Sequence, residues 1–114
     1  MKVFNYKDVE PKKAEEGAEN LNIRWLITKE IGAENFAMRL FEMKNGGSSP
    51  RHSHPWEHEV FILEGKGSVF GGGQERKFKK GDAVFIPANE EHQFKNSGKK
   101  TVKFICLIPY VKKK

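Results

Sequence analysis

The chain has 114 residues, of which 37% are hydrophobic and 32% charged, and its formal net charge is +6. This size and composition are typical of a single globular domain with one modest core. No apolar run approaches the roughly 20 residues that a membrane-spanning helix needs, so we expect no membrane partner. The single cysteine, Cys106, cannot form an internal disulfide, which favours a reducing, cytoplasmic location.

The positive charge does not indicate a nucleic-acid partner. Three of the positive charges belong to a basic tail, residues 112–114. The other lysines are scattered among glutamates and are not collected on one helix or on a glycine- and aromatic-rich platform. We therefore expect no nucleic-acid binding, although a weak attraction for small anions is consistent with the charge.

The hydrophobic pattern predicts short strands and no helix. Within the polar segment 1–22, an edge strand is predicted at 3–6 and an exposed loop at 10–22. Further strands are predicted at 23–28, 36–43, 58–63, 67–70, 74–79, 83–86, 92–96 and 102–108. Glycine turns separate them, and 64–67 is predicted as a hairpin loop. We predict one all-β domain, an antiparallel sandwich or barrel over 23–111, with 1–22 part of the same domain.

Three of the four histidines lie within seven residues: His52, His54 and His58. They have the same parity, and side chains alternate between faces along an extended strand, so all three can point the same way. Neutral imidazole is the commonest protein ligand for transition metals. The segment therefore predicts the start of a metal site, with His92 as the candidate for its completion.

The parity also separates His58 from the neighbouring Glu59. In a regular strand, Val60 and Ile62 share the face of His58, and Glu59 points away from the metal. A bulge near Pro55 would reverse this assignment and make Glu59 the ligand.

Two spaced motifs give the chain a family resemblance. The first is Gly46, five residues, His52-Ser53-His54, three residues, His58, six residues and Gly65; the second is Gly81, five residues, Pro87-Ala88-Asn89, two residues, His92, three residues and Asn96. They resemble the two motifs of the cupin family, in particular its small single-domain members with a four-histidine metal site. His58 stands where the family pattern has glutamate, and Asn89 stands where it has glycine.

The resemblance implies a cupin-type double-stranded β-helix, or jelly-roll barrel, with one divalent transition metal per chain. It implies Mn, Fe, Ni, Cu or Zn, and imidazole ligands do not select among these. Four neutral imidazoles leave the charge of the ion uncompensated, which favours an anionic or enolate-like small-molecule ligand. Four ligands on an octahedral ion leave two open positions, which suits a chelating ligand or a substrate beside dioxygen.

We accordingly predict an oxidoreductase of dioxygenase type that acts on a small organic substrate. Two alternatives are a non-catalytic, metal-dependent small-ligand binding protein and a metal-dependent isomerase or lyase. The isomerase or lyase needs a general base, for which Glu57 and Glu59 are the nearest candidates, although solvent exposure is the simpler interpretation of both. Cupins span all three classes, so the fold does not decide among them.

Strand parity also indicates the walls of the substrate pocket. Phe94, Phe104 and Cys106 are predicted to line it, although core packing explains the same pattern. Arg39 is either the partner of an anion in the site or a residue of an exposed sheet face, and Trp56 either shields the metal or packs at the barrel mouth.

The strand at 58–63 predicts a homodimer. Val60 and Ile62 make one of its faces apolar, and Phe61 and Leu63 make the other apolar. A monomer of this size rarely needs two buried sheet faces, so we expect one face to pack against a second copy.

Overall fold

The computed structural model describes residues 1–110, and nearly all of its regular structure is antiparallel strand. The strands are β1 (Lys12–Lys13), β2 (Glu19–Ile27), β3 (Phe36–Ser48), β4 (His58–Glu64), β5 (Lys66–Gly71), β6 (Gln74–Lys79), β7 (Ala83–Ile86), β8 (His92–Lys95) and β9 (Val102–Pro109). Two short 3₁₀ turns lie at Tyr6–Asp8 and Lys29–Ile31. In the described part of the chain, no helix is long and apolar enough to span a bilayer.

The sheet curls so that its two walls share one core. Its strand order is β6-β5-β8-β3-β9-β4-β7, with β2 paired to β3 and β1 paired to β2. Strands distant in sequence are therefore neighbours, as in the pairing of β3 with β9 and β4 with β9. The core takes side chains from both walls, among them Met43, Ile62 and Val102, each 0% exposed, and Phe78 and Phe94, each 4% exposed. The predicted all-β jelly-roll class is confirmed.

The connection from β4 to β5 differs from the prediction. Residues 64–67 were expected to form a hairpin loop, but β4 pairs with β7 and β9, whereas β5 pairs with β6 and β8. The chain thus crosses from one wall to the other at Gly65, which has φ +83°. A Cβ there would lie 2.9 Å from the carbonyl oxygen of Thr101, so only glycine fits the crossing.

The N-terminal prediction was also wrong. Residues 3–6 form no strand, and Tyr6 instead begins a 3₁₀ turn whose N-cap, Asn5, accepts a hydrogen bond from the backbone N–H of Lys7. The segment 10–22, expected to be an exposed loop, contains β1 and the first residues of β2, and Lys13 of β1 pairs with Asn22 of β2. The predicted tail at 112–114, together with residue 111, lies outside the described residues.

The outer face of β4, β7 and β9 carries exposed apolar side chains. Phe61 is 48% exposed and Phe85 is 59% exposed. A groove beside them includes Ile105 and Leu107, and none of the described residues that line it is a lysine or an arginine, although the chain has 21 such residues. Apolar patches of this kind are typical of protein–protein contacts.

Candidate metal centre

Backbone hydrogen bonds bring the four histidines to one end of the barrel. His52 and His54 lie in the connection between β3 and β4, whereas His58 and His92 are the first residues of β4 and β8. His52 and His92 form an isolated β-bridge, with N–O distances of 3.2 and 2.9 Å. The N–H of Asn89, which has φ +68°, donates to the carbonyl of His54 at 2.8 Å. The two motifs are thus held together through the main chain.

The four imidazoles converge. Ligand nitrogens of His52, His54 and His92 all lie within 4.8 Å of one another, and this trio could hold a metal ion. His58 adjoins the trio, because its Nε2 is 2.7 Å from Nε2 of His54. The ring centroid of His58 lies 4.5 Å from the ring centroid of His54 and 5.0 Å from that of His92. Glu59, the alternative ligand, is exposed on the outer face, whereas His58 is buried.

Two of the histidines are oriented by main-chain carbonyls. Nδ1 of His54 lies 3.0 Å from the carbonyl oxygen of Trp56, and Nδ1 of His92 lies 2.8 Å from that of Glu90. A carbonyl can only accept, so Nδ1 carries the proton and donates in both rings, which leaves the lone pair on Nε2. Burial lowers the pKa of both rings below the usual value. Both therefore present a neutral nitrogen to the cluster.

His58 has a different environment. Burial, reinforced by the adjacent Arg39 guanidinium, lowers its pKa to about 3, so it is neutral at physiological pH. Its Nδ1 lies 3.4 Å from Nη2 of Arg39 and 3.1 Å from Sγ of Cys106. A guanidinium only donates, so the contact with Arg39 places the ring proton on Nε2, which donates to His54. For His58 to bind a metal, that proton must be on Nδ1, where Cys106 Sγ is the nearby acceptor.

The donor set fits a divalent transition metal. All of the candidate ligand atoms are imidazole nitrogens, which suit Zn, Cu, Fe and Ni better than they suit Mg or Ca. Two nitrogens that bind one ion at about 2.1 Å and at a right angle are roughly 3 Å apart. The 2.7 Å between the Nε2 atoms of His54 and His58 is close to this spacing.

The histidines form part of the wall of a cavity of about 430 Å³ that is otherwise largely apolar. All five residues proposed for the pocket line it: Arg39, Trp56, Phe94, Phe104 and Cys106. Trp56 stacks on the ring of His54 at 4.2 Å between centroids. Phe104 stacks on both Phe41 and Phe94 at 5.0 Å, which forms a continuous aromatic wall. The volume is in the range of small-molecule sites.

Several cavity residues were not predicted, because they come from the N-terminal segment and β2. Lys13, Glu15 and Trp25 line the cavity, and a carboxylate oxygen of Glu15 lies 3.9 Å from Nδ1 of His52. The polar composition of 10–22 gave no signal for this placement. Glu57 and Glu59, the predicted candidate bases, instead line the groove on the outer face.

Together, the curled antiparallel sheet and the histidine cluster at one end define a β-barrel protein with an open, imidazole-rich site. The chain belongs to the cupin family, since residues 39–108 match the model of the cupin domain. Two curated relatives are similar over most of this chain. A polyketide synthase, CurC, of Streptomyces cyaneus is 27% identical over 106 residues, 91% of this chain and 66% of the relative. An oxalate-binding protein of Thermotoga maritima is 30% identical over 96 residues, 81% of this chain and 78% of the relative.

A solved structure extends the comparison. The polyketide cyclase RemF from Streptomyces resistomycificus superposes with a TM-score of 0.90 at 35% sequence identity. The superposition covers 96% of this chain and 79% of that chain. The names of these relatives describe different functions, so membership of the family does not identify the reaction.

Proposed function

We propose that this cupin binds one divalent transition metal through His52, His54, His58 and His92 and uses it to bind a small, enolisable compound through two oxygen atoms. The observation that carries the proposal is the convergence of four imidazoles on a cavity with an aromatic wall. His54, His58 and His92 have lowered pKa values, so they are neutral at pH 7. His54 and His92 present Nε2 to the cluster, and His58 does so in the tautomer with its proton on Nδ1. A bound ion would supply Lewis-acid polarisation of a substrate carbonyl.

The protein's own residues bind and orient the substrate. Phe41, Phe94 and Phe104 provide a flat wall against which a planar, conjugated compound can stack. Trp56, stacked on His54, covers one side of the histidine cluster and limits the access of water. Among the described residues lining the cavity, Glu15 is the one carboxylate, so it is the candidate acceptor for a proton α to a carbonyl.

The reaction we propose first is cyclisation of a β-polycarbonyl compound by intramolecular carbon–carbon bond formation. The similarity to RemF, a polyketide cyclase, over 96% of this chain supports this reaction class. An enolisable carbon gives its α proton to the base and attacks a ketone carbon of the same molecule, and this carbon–carbon bond closes the ring. The ketone oxygen takes up a proton to become a hydroxyl group, which then leaves as water with a neighbouring hydrogen to form a carbon–carbon double bond. Binding and preorganisation of a flexible chain against an aromatic wall favour that step, because the reacting carbons are held together.

Dioxygenation is the second candidate. The observation that favours it is the cluster of imidazoles beside aromatic side chains. Four imidazoles as the only protein ligands would leave positions open on a six-coordinate ion. A third outcome, binding without turnover, is supported by the 30% identity to an oxalate-binding protein.

Product mass and oxygen uptake separate these functions. Protein loaded in turn with Mn, Fe, Ni, Cu or Zn is incubated with aromatic β-triketones, with and without oxygen. Cyclisation predicts a product lighter by one water and no oxygen requirement, whereas dioxygenation predicts oxygen consumption and incorporation of both oxygen atoms. An unchanged ligand that binds only the metal-loaded protein indicates a binding protein. Absence of metal-dependent binding would contradict the proposal.

A further inference from the structure

Arg39 is a buried cation that has no acidic partner among the described residues. It is 9% exposed, and its Nε has no hydrogen-bond partner among the described residues. Its Nη2 donates to Cys106 Sγ at 3.1 Å and lies 3.4 Å from His58 Nδ1. Neither contact supplies a carboxylate. A buried charge is normally paired, because its removal from water is costly.

The surroundings of Arg39 do not supply the missing negative charge. Within the described residues, the polar side-chain groups in contact with the guanidinium are the thiol of Cys106 and the imidazole of His58, and neither is a carboxylate. The guanidinium carbon lies 4.9 Å from the ring centroid of Phe41 and 5.4 Å from that of Trp25. Ring faces attract a cation without cancelling its charge. Among the described residues that line the cavity, Lys13 and Arg39 are cationic, and Glu15 is the one carboxylate, whose ion-pair contact is with His52. The lining therefore keeps a net positive charge, and Arg39 is not paired by it.

Arg39 is also close to the histidine cluster. One edge of the His58 ring, at Nδ1, faces the guanidinium, and the other edge, at Nε2, faces His54. Arg39 therefore lies one ring width away from Nε2 of His58, the nitrogen proposed to bind the metal. Arg39 lines the same cavity as all four histidines. A ligand held by the cluster can reach the guanidinium with a group close to its chelating oxygens.

We propose that Arg39 binds a carboxylate of the substrate, so that the natural ligand is an enolisable dicarbonyl compound with a carboxylate adjacent to its chelating oxygens. The planar fork of a guanidinium matches the two oxygens of a carboxylate and can bind both. The chelating part of this inference rests on the proposed function. Arg39 as a carboxylate site does not, because it follows from the unpaired buried charge alone.

The first experiment tests Arg39 without metal. Benzoate and its neutral analogue benzamide are titrated into protein kept metal-free with a chelator, and binding is followed by the fluorescence of Trp25 and Trp56. We expect benzoate to bind more tightly than benzamide, and Arg39→Gln to weaken benzoate binding by roughly 10- to 100-fold. Arg76→Gln removes the same charge from an exposed position on β6 and should bind benzoate like the wild type.

The second experiment tests the substrate class with metal present. Benzoylacetone and benzoylpyruvate differ only in that a carboxylate replaces a methyl group, and both are titrated into Zn-loaded protein. The wild type should prefer benzoylpyruvate, and Arg39→Gln should reduce that preference by roughly 10-fold or more. The readout is the ratio of the two affinities within each protein, both measured at the same metal content, so a general change in metal or diketone binding cancels. If neither diketone binds, the proposed function fails, while the benzoate experiment still decides the role of Arg39.

Thermal stability distinguishes a binding role from a structural one. Removal of an uncompensated buried charge should stabilise the ligand-free protein, so Arg39→Met should raise its Tm. Benzoate should raise the Tm of the wild type and leave that of Arg39→Met unchanged. Arg39→Lys, which keeps the charge but loses the fork, serves as a second variant if the others fold poorly, and it should bind benzoate several-fold more weakly than the wild type. Equal benzoate affinity in wild type and Arg39 variants, or no preference of the wild type for benzoate over benzamide, would overturn the proposal.

Discussion

The buried His58 should make the stability of the metal-free protein depend on acid. Its pKa falls from 6.5 to about 3 on folding, chiefly because burial disfavours the charged ring. Between these values the unfolded chain binds a proton that the folded protein does not. The free energy of unfolding therefore falls as the pH is lowered through this window and is fully retained above it. Each pH unit corresponds to about 1.4 kcal/mol per proton, so the full loss over this window is about 5 kcal/mol.

Urea unfolding in the presence of a chelator, at pH 7, 6, 5 and 4, measures this dependence. His58→Gln removes the titrating ring and should flatten the curve by about 1.4 kcal/mol per pH unit in the middle of the window. Lowered pKa values at His54 and His92 add a dependence of the same sign, which the variant keeps. Val60→Ala, at the next inward position of β4, is the control: it should lower stability at every pH without changing the slope. Equal slopes for wild type and His58→Gln would refute the reasoning.

Three further outcomes are expected. His58→Ala should weaken metal binding about 100-fold or more, as measured by competition titration with a chromophoric chelator. Glu59→Ala, on the outer face, should leave metal binding unchanged. A larger loss in Glu59→Ala than in His58→Ala would contradict the assignment of His58 as the ligand. The protein should be a dimer by light scattering, and Phe61→Glu, which places a charge on the exposed apolar face, should give a monomer; a monomeric wild type would remove the basis for the interface. Chelation of the metal should lower the free energy of unfolding by about 2.7 kcal/mol relative to protein with free metal at 100 times its Kd, and calorimetry with an unchanged Tm would contradict resident metal binding.

The histidine cluster could be predicted from the sequence because short-range patterns in the chain indicate it. Alternation along β4 places His58 inside the barrel and Glu59 outside, and the two motif spacings bring His92 into the same prediction. Asn96 completes the second motif for a structural reason. It is 2% exposed, and its Nδ2 donates to the carbonyls of Met43 and Lys100.

The role of the N-terminal segment could not be predicted in this way. Residues 10–22 are rich in lysine and glutamate, which predicts exposure, yet Lys13 and Glu15 line the cavity because β1 pairs with β2 beside it. β2 in turn is held on the barrel by its pairing with β3, where Leu21 lies opposite Met43. These two residues are far apart in sequence, and local pattern does not encode such a pairing. The passage of the chain at Gly65 from one wall of the barrel to the other was missed for the same reason. A glycine turn is compatible with a hairpin between paired strands and also with a connection between two walls.

The position of Arg39 was left open by the sequence. Both faces of β3 carry apolar residues, so parity groups Arg39 with Phe41 but does not say which face is inside. Pairing of β3 with β9 decides the matter, because it sets Arg39 opposite Cys106 and Phe41 opposite Phe104. The inward face then contains the cation, and the outward face contains Leu40, which is itself 3% exposed.

X-ray absorption spectroscopy of the metal-loaded protein tests the central claim most directly, because it counts imidazole ligands. The proposed site predicts four imidazoles in the wild type and three in His58→Ala, with the metal content of both confirmed by elemental analysis. Four in the wild type would place His58 in the coordination sphere beside His52, His54 and His92. Three imidazoles in both proteins would show that the trio alone binds the metal and that His58 is only its buried neighbour.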